Sequence, residues 1–290
     1  MKVLVTGAQG MLGSDLCRLL RERHEVIGLG RADLDVCDED AVHGVIADIR
    51  PDVVFHLAAM TDVDACEQAP AEAWRANAEG TTYVVDACRR IGALVVYPSS
   101  IAVFDGEKAE PYTEEDVPCP ANAYGRSKLG GEQAVAAYPR HVIARSGWLF
   151  GGGAQDKKFV GKVLRLARER DTLLAVVDKF GSPTYTRDFA AGLIQLVEHG
   201  FYGTVHLVNA GGPASRYQVA RAVLDCAGIT TCTLIPATSE AFPLPAPRPR
   251  MEAAASLRWP FAPLRHWRDA LCEYIGNSVQ LSVASLKAER

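Results

Sequence analysis

The sequence has no Cys-x-x-Cys pair and no His-x-x-x-His spacing, so its eight cysteines and seven histidines do not form the usual ligand sets of a dedicated metal site. No stretch approaches the roughly 18 consecutive apolar residues of a membrane-spanning helix. The opening MKVLVTG lacks the apolar run and the cleavage site of a secretory signal. There is no basic excess either. Lys+Arg of 31 against Asp+Glu of 35 give a formal net charge of −4, which offers no electrostatic footprint for nucleic acid, although a local basic pocket remains compatible with it. No internal repeats appear. These absences predict a soluble cytoplasmic protein with no metal, no nucleic-acid partner and no membrane partner. Cys17, Cys37, Cys66, Cys88, Cys119, Cys226, Cys232 and Cys272 lie mostly in apolar stretches such as DLCRLL and VVDACRRIG, and read as small buried hydrophobes in a reducing compartment.

At 290 residues, 48% hydrophobic and 23% charged, the chain suits one large globular domain or two unequal ones. Short β-branched runs at 2–7, 25–30, 52–59, 94–100 and 141–147 alternate with amphipathic stretches such as SDLCRLLRER, DEDAVHGVIADIR and SKLGGEQAVAAY. Near-continuous apolar strands separated by helices indicate an α/β fold whose parallel sheet is covered on both faces, in a doubly wound arrangement. Past residue 150 come a glycine-rich loop (GGGAQDKK), a helical KFVGKVLRLARER, a strand at 204–209 and a helix around YQVARAVLDCAG. Residues 236–263 hold seven of the sixteen prolines, which excludes a long helix or a central strand; the segment is a loop over a site or a plain surface linker. The final GNSVQLSVASLKAER reads as a frayed tail.

Gly7, Gly10 and Gly13, in VTGAQGMLGSDL, follow the first strand and open the first helix. A tight turn there lets backbone approach a phosphate, and the free N–H groups and dipole of a helix N-terminus favour anions. In that context the three glycines predict dinucleotide binding. Arg31 stands at the tip of the second strand, with Asp33 and Asp35 slightly later. An arginine there favours a 2′-phosphate and a carboxylate the free 2′-hydroxyl, so the reading leans to NADPH, with NADH also open. The small residues of HLAAMT (56–61) suit backbone lying against a cofactor; His56 reads as a packed strand residue.

Tyr124 and Lys128, in AYGRSKLGGE, are four apart and share a helix face. Gly125 between them suits close approach of cofactor or substrate, or is simply tolerated near a helix start. With a glycine loop, a strand ending in Ser99-Ser100 and then Tyr-x-x-x-Lys, the sequence resembles the extended short-chain dehydrogenase/reductase family, and within it the dTDP-4-dehydrorhamnose reductase group. The likeness covers almost the whole chain and rests on TGAQGMLG, AAMTDVDACE, VFDG, NAYGRSKLGGE, RSGWLFG, KFGSPT and PAPRPR.

The resemblance implies a Rossmann-type domain over 1–150 plus about 182–209, and a smaller α+β substrate domain over about 151–181 and 210–290. It implies catalysis by Ser100, Tyr124 and Lys128. Tyr124 would be the general acid for the new alkoxide, Lys128 would hold the nicotinamide ribose, and Ser100 would donate to the carbonyl. Moving a free tyrosine about three units toward neutrality needs roughly 4 kcal/mol, part of which a neighbouring ammonium supplies. Cofactor contacts would fall to Gly7, Gln9, Gly10, Met11, Leu12, Arg31, Asp35, Val36, Leu57, Ala58, Ala59 and Thr61, with Tyr124 and Lys128. Substrate contacts would fall to Ser100, Val103, Phe104, Trp148 as a flat face for a pyranose, and Arg248, which with Arg250 suits a diphosphate. Where the family usually reads Ser-Thr-Asp-Tyr-Val-Phe, this chain reads SSIAVF, so that Ile101 and Ala102 replace an aspartate and a tyrosine. The expected activity is NADPH-dependent reduction of a nucleotide-linked 4-keto-6-deoxy sugar by a monomer or homodimer. The alternatives are a non-catalytic cofactor-binding partner, like the regulatory subunit of methionine adenosyltransferase, and an epimerase or dehydratase of the same fold.

Overall fold

In the computed structural model, which describes residues 1–153 and 156–288, strand and helix alternate through the first half of the chain. The order is β1 (Lys2–Thr6), α1 (Met11–Leu20), β2 (Glu25–Leu29), α2 (Glu39–Ile49), β3 (Val53–His56), α3 (Val63–Gln68), α4 (Pro70–Trp74), α5 (Gly80–Ile91), β4 (Leu94–Ser100), α6 (Ala123–Ala136) and β5 (His141–Ser146). The second half runs β6 (Trp148–Phe150), α7 (Phe159–Glu169), β7 (Thr172–Val176), β8 (Phe180–Gly181), β9 (Pro183–Tyr185), α8 (Thr186–Glu198), β10 (Gly203–His206), β11 (Ala214–Ser215), α9 (Arg216–Ala227), β12 (Thr233–Ala237), β13 (Met251–Glu252) and α10 (Trp267–Ala288). Ala154 and Gln155 of the glycine-rich loop lie outside the described residues.

Six strands form one wholly parallel sheet in the order β10-β5-β4-β3-β1-β2. Each strand alternates its side chains between two apolar layers. Val3 and Val5 of β1 pack with Leu16, Phe189 and Leu193 on one face. Leu4 packs with Val42, Ile46 and Val84 on the other. The chain leaves β1 for β2 in one direction and for β3 in the other, so a crevice opens at the carboxyl ends of β1 and β3. A separate apolar cluster joins α7, α9 and α10 to the parallel pair β7 and β12, through Val160, Leu164, Val223, Leu271 and Ile275.

Three features differ from the sequence expectation. TLLAV is a strand, β7; its partner β12 accommodates Pro236 because in a two-stranded sheet every strand is an edge. Helix α10 continues to Ala288, through most of the segment expected to fray. Cys226 of α9 and Cys272 of α10 form a disulfide with a Cα separation of 5.0 Å, so these two are not free apolar cysteines. Cys17, Cys66, Cys88 and Cys232 are buried, Cys37 is half-buried and Cys119 is exposed. Among the described residues no helix is long and apolar enough to cross a membrane.

Beneath α6 lies a buried ion pair. Arg145 of β5 donates Nε to Glu132 Oε1 at 2.8 Å and Nη2 to Oε2 at 2.6 Å. Replacing Arg145 with methionine leaves the Glu132 carboxylate buried without its partner. The expected loss is about 3–5 kcal/mol in urea unfolding, and adding Glu132→Gln to that variant should restore much of it.

Candidate active site

The crevice is one continuous cleft of about 1870 Å³. At one end is the turn between β1 and α1. Gly7 has φ +67°, and a Cβ there would meet the Ala58 nitrogen at 2.8 Å; a Cβ on Gly13 would meet the Gly7 oxygen at 2.3 Å. Gly10 donates to Gly7 O at 3.0 Å and opens α1 with no side-chain cap. The first-turn amides at Met11 and Leu12 therefore lack any intrahelical or side-chain acceptor, and they face the cleft as an anion cradle without side chains in the way.

Arg31, Asp35 and Val36 line the cleft beside this turn. Asp33 does not: its carboxylate accepts from Gly30 N at 2.8 Å and closes its own turn. Asp35 accepts from Cys37 N at 3.0 Å; that bond chiefly holds its carboxyl below the usual range, with Arg31 and Arg75 adding positive charge nearby. Arg75 also lines the cleft; no local sequence signal marks it, because the π-helical turn Arg75–Glu79 brings it there.

Leu57, Ala58, Ala59 and Thr61 form the adjoining wall. Asn77 fixes this wall: it accepts from Met60 N at 2.7 Å and donates to Met60 O and to Ser127 Oγ, both at 2.9 Å. His56 is buried behind it, between Thr6 Oγ1 at 2.8 Å and Thr81 Oγ1 at 3.2 Å. Burial, followed by the Lys128 charge, pulls its imidazole down to about 3.

Helix α6 enters at the end of β4. Asn122 caps it by accepting from Gly125 N at 2.9 Å, and its amide nitrogen donates to Pro247 O at 3.0 Å. Tyr124 and Lys128 then line the cleft with Ser100, whose hydroxyl also accepts from Ala102 N at 3.2 Å. Lys128 Nζ donates to Pro98 O at 2.9 Å and lies 3.8 Å from the centre of the Tyr97 ring. Burial pulls its ammonium down to about 7, against the opposing pull of Glu132. Burial likewise pushes the Tyr124 phenol up to about 12, opposed by hydrogen bonding from Ser100 and reinforced by the negative charge of Glu252. Without cofactor the phenol is thus shifted away from neutrality, opposite to the direction set out from sequence, because burial outweighs the Ser100 hydrogen bond and the nearby charge acts in the same direction as burial.

The family model described as RmlD substrate binding domain matches residues 1–279. The chain belongs to this family. It is 40% identical over 280 residues to a dTDP-4-dehydrorhamnose reductase of Mycobacterium tuberculosis, covering 93% of this chain and 91% of the relative. The solved structure of a dTDP-4-dehydrorhamnose reductase ortholog from Clostridium acetobutylicum superposes with a TM-score of 0.91 at 36% identity, covering 96% of this chain and 99% of that one. A third relative, the Bacillus anthracis dTDP-4-dehydrorhamnose reductase solved in complex with NADP, has a TM-score of 0.91 at 33% identity over 96% of this chain and all of that one.

Within this RmlD-family chain several expected substrate contacts take other places. Val103 and Phe104 do not line the cleft: they are buried at 0% and 1% exposure in a satellite core with Ile101, Tyr112 and Met251. They follow Ser100 in a 3₁₀ turn, Ile101–Val103, that folds these side chains inward; Phe104 stacks on Tyr112 with centroids 4.3 Å apart. Of that turn only Ala102 reaches the cleft. Trp148 does line it, but the ring carries the Arg216 guanidinium 3.4 Å from its centre, so its face is not open to a pyranose. The indole N–H donates to Glu252 Oε2 at 3.0 Å.

Arg248 lines the cleft but is engaged: it donates to Asp64 Oδ2 at 2.8 Å and to Ala246 O at 2.9 Å, tying the proline-rich segment to α3. Arg250 is exposed and does not line the cleft. The proline-rich segment nonetheless overlies it, through residues that include Phe242, Pro243, Pro247 and Glu252.

Gly125 does not line the cleft. A Cβ there would meet the Ala102 carbonyl oxygen at 2.0 Å and Pro120 at 2.8 Å, so the glycine lets α6 seat on the chain itself. Gly125→Ala should cost about 1–3 kcal/mol in thermal or urea unfolding and lower turnover together with stability, because Tyr124 moves with the helix.

Proposed function

We propose that this protein is the NADPH-dependent reductase of a nucleotide-linked 4-keto-6-deoxy sugar, turning dTDP-4-dehydrorhamnose into dTDP-rhamnose or performing the same step on a close analogue. One observation carries the reading: Ser100, Tyr124 and Lys128 share a single cleft with the uncapped glycine turn of α1. The relatives' activity as dTDP-4-dehydrorhamnose reductases suggests the substrate, and the NADP complex of the Bacillus anthracis relative suggests the cofactor.

The chain's own residues fit the cofactor. The α1 amides receive its diphosphate, and Gly7 and Gly13 keep the turn clear of side chains. Arg31 and Arg75 face the same end of the cleft, as a 2′-phosphate requires. Asp35 gives one carboxylate oxygen to the Cys37 amide, and the preference for NADPH over NADH rests on the two arginines. NADPH supplies the hydride when bound. Tyr124 keeps its proton throughout the neutral range, so it is ready to donate to the oxygen of the reduced ketone. Ser100 orients that oxygen, and Lys128, held by Pro98 O in the free protein, turns its remaining N–H donors to the nicotinamide ribose.

Loss of NADPH absorbance in the presence of dTDP-4-dehydrorhamnose tests the activity. Tyr124→Phe should lower turnover by about 10²–10⁴-fold while cofactor still binds; unchanged turnover removes Tyr124 from the chemistry. A second prediction concerns pH. With Lys128 at about 7 in the free protein and charged beside a polyanionic cofactor, binding takes up a proton above neutrality. The dissociation constant of NADPH should therefore rise with pH between about 7 and 9, by up to tenfold per unit, and Lys128→Met should flatten the profile in fluorescence titrations.

A further inference from the structure

Arg216 is the first residue of α9, where Ser215 and Gln218 form a reciprocal capping box that fixes the turn carrying it. Its guanidinium is half-buried on the cleft wall, 3.4 Å from the centre of the Trp148 ring and 4.8 Å from that of Phe159. Stacking engages the flat face of a guanidinium and leaves its in-plane N–H donors unused. Among the described residues those donors have no hydrogen-bond acceptor and no ion-pair partner. Among the neighbouring cations of the cleft, Arg248 is bonded to Asp64, Lys158 donates to Thr61 O at 3.0 Å and Lys179 donates to Arg248 O at 2.7 Å, while Lys157 and Lys162 are exposed to solvent and not stacked. Burial pulls Arg216 down to about 10, helped by Arg248 and opposed by Glu252, so it is still charged at neutral pH. A charged guanidinium that is half-buried with unused donors is completed by an anion.

Its position says which anion. Arg216 lines the same cleft as Ser100 and Tyr124, and the Trp148 ring on which it lies is tied through its indole N–H to Glu252 Oε2 at 3.0 Å. A sugar whose ketone meets Tyr124 directs its anomeric substituent away from that phenol.

We propose that Arg216 anchors the diphosphate of the substrate and thereby selects nucleotide-linked sugars over free ones; this rests on the reading of the cleft given under Proposed function. The planar fork matches two phosphate oxygens at once, as a point charge does not. Glu252, bonded to the Trp148 indole, holds the aromatic platform on which the fork lies.

Calorimetric titration with dTDP and with thymidine, on the NADPH-loaded native protein and on Arg216→Met and Arg216→Lys, tests this. Arg216→Met should weaken dTDP by roughly 10- to 100-fold, the range for losing hydrogen bonds to a charged group, with thymidine and NADPH affinities unchanged. Arg216→Lys should recover part of the loss. In turnover, KM for the nucleotide sugar should rise much more than kcat falls. Native affinity for dTDP in Arg216→Met overturns the anchor and leaves the reductase reading intact. Equal weakening of dTDP and thymidine overturns it too, by showing a general collapse of the Trp148 platform. If the native protein binds neither dTDP nor UDP, the nucleotide-sugar reading falls and the anchor falls with it.

Discussion

The seating of α6 on β4 and its following turn is the constraint from which the site's geometry derives. The helix lies so close that only hydrogen fits at two points: Gly125 against the Ala102 carbonyl and Gly131 against the Tyr97 hydroxyl and the Asn77 carbonyl. Lys128 closes the contact from the helix side through Pro98 O, and Glu132 through Arg145 of β5. Because these anchors lie one turn apart along a single face, Tyr124 has no independent freedom of placement. Its position is a property of backbone contact between a helix and a sheet, which explains why residues that weaken helices stand in this one.

Electrostatics follow from the same burial. Within one cleft the phenol of Tyr124 is driven up and the ammonium of Lys128 down, each toward its uncharged form, as expected where water is excluded and charge is costly. The wall across from them is fixed by neutral hydrogen bonds of Asn77, and the strand behind by a neutral His56. Arg31 and Arg75 line the cleft near Asp35, Arg216 lines it on the Trp148 ring, and Arg248 lines it in the proline-rich segment.

The parts of this arrangement that depend on local pattern were legible in the sequence. The alternating apolar runs announce the parallel sheet, the three glycines announce the α1 turn, and the four-residue spacing of Tyr124 and Lys128 puts both on one helix face. What depends on distant pairing was not legible. Arg145 reads as one more strand residue until it meets Glu132, and Asn77 sits in an unremarkable helical run that turns out to contain a π turn. Arg216 carries no motif, since its neighbours Trp148 and Phe159 arrive from elements far back in the chain. Val103 and Phe104 were misplaced for a related reason: a 3₁₀ turn after Ser100 swings them into a core instead of the cleft. The Cys226–Cys272 bridge joins cysteines 46 residues apart on two helices, which no spacing rule foretells.

Strand β10 occupies the edge of the parallel sheet beside β5, although the chain has by then left the sheet and passed through β6 to α8. A fragment that ends after β5 would leave that strand's hydrogen-bonding edge and the apolar side chains around Val142 and Ala144 uncovered, an invitation to aggregate. The cleft-lining segment between β5 and β10, with Trp148 and Phe159, is therefore no detachable module. Exchanging that segment between relatives demands two splices that keep β10 with its sheet.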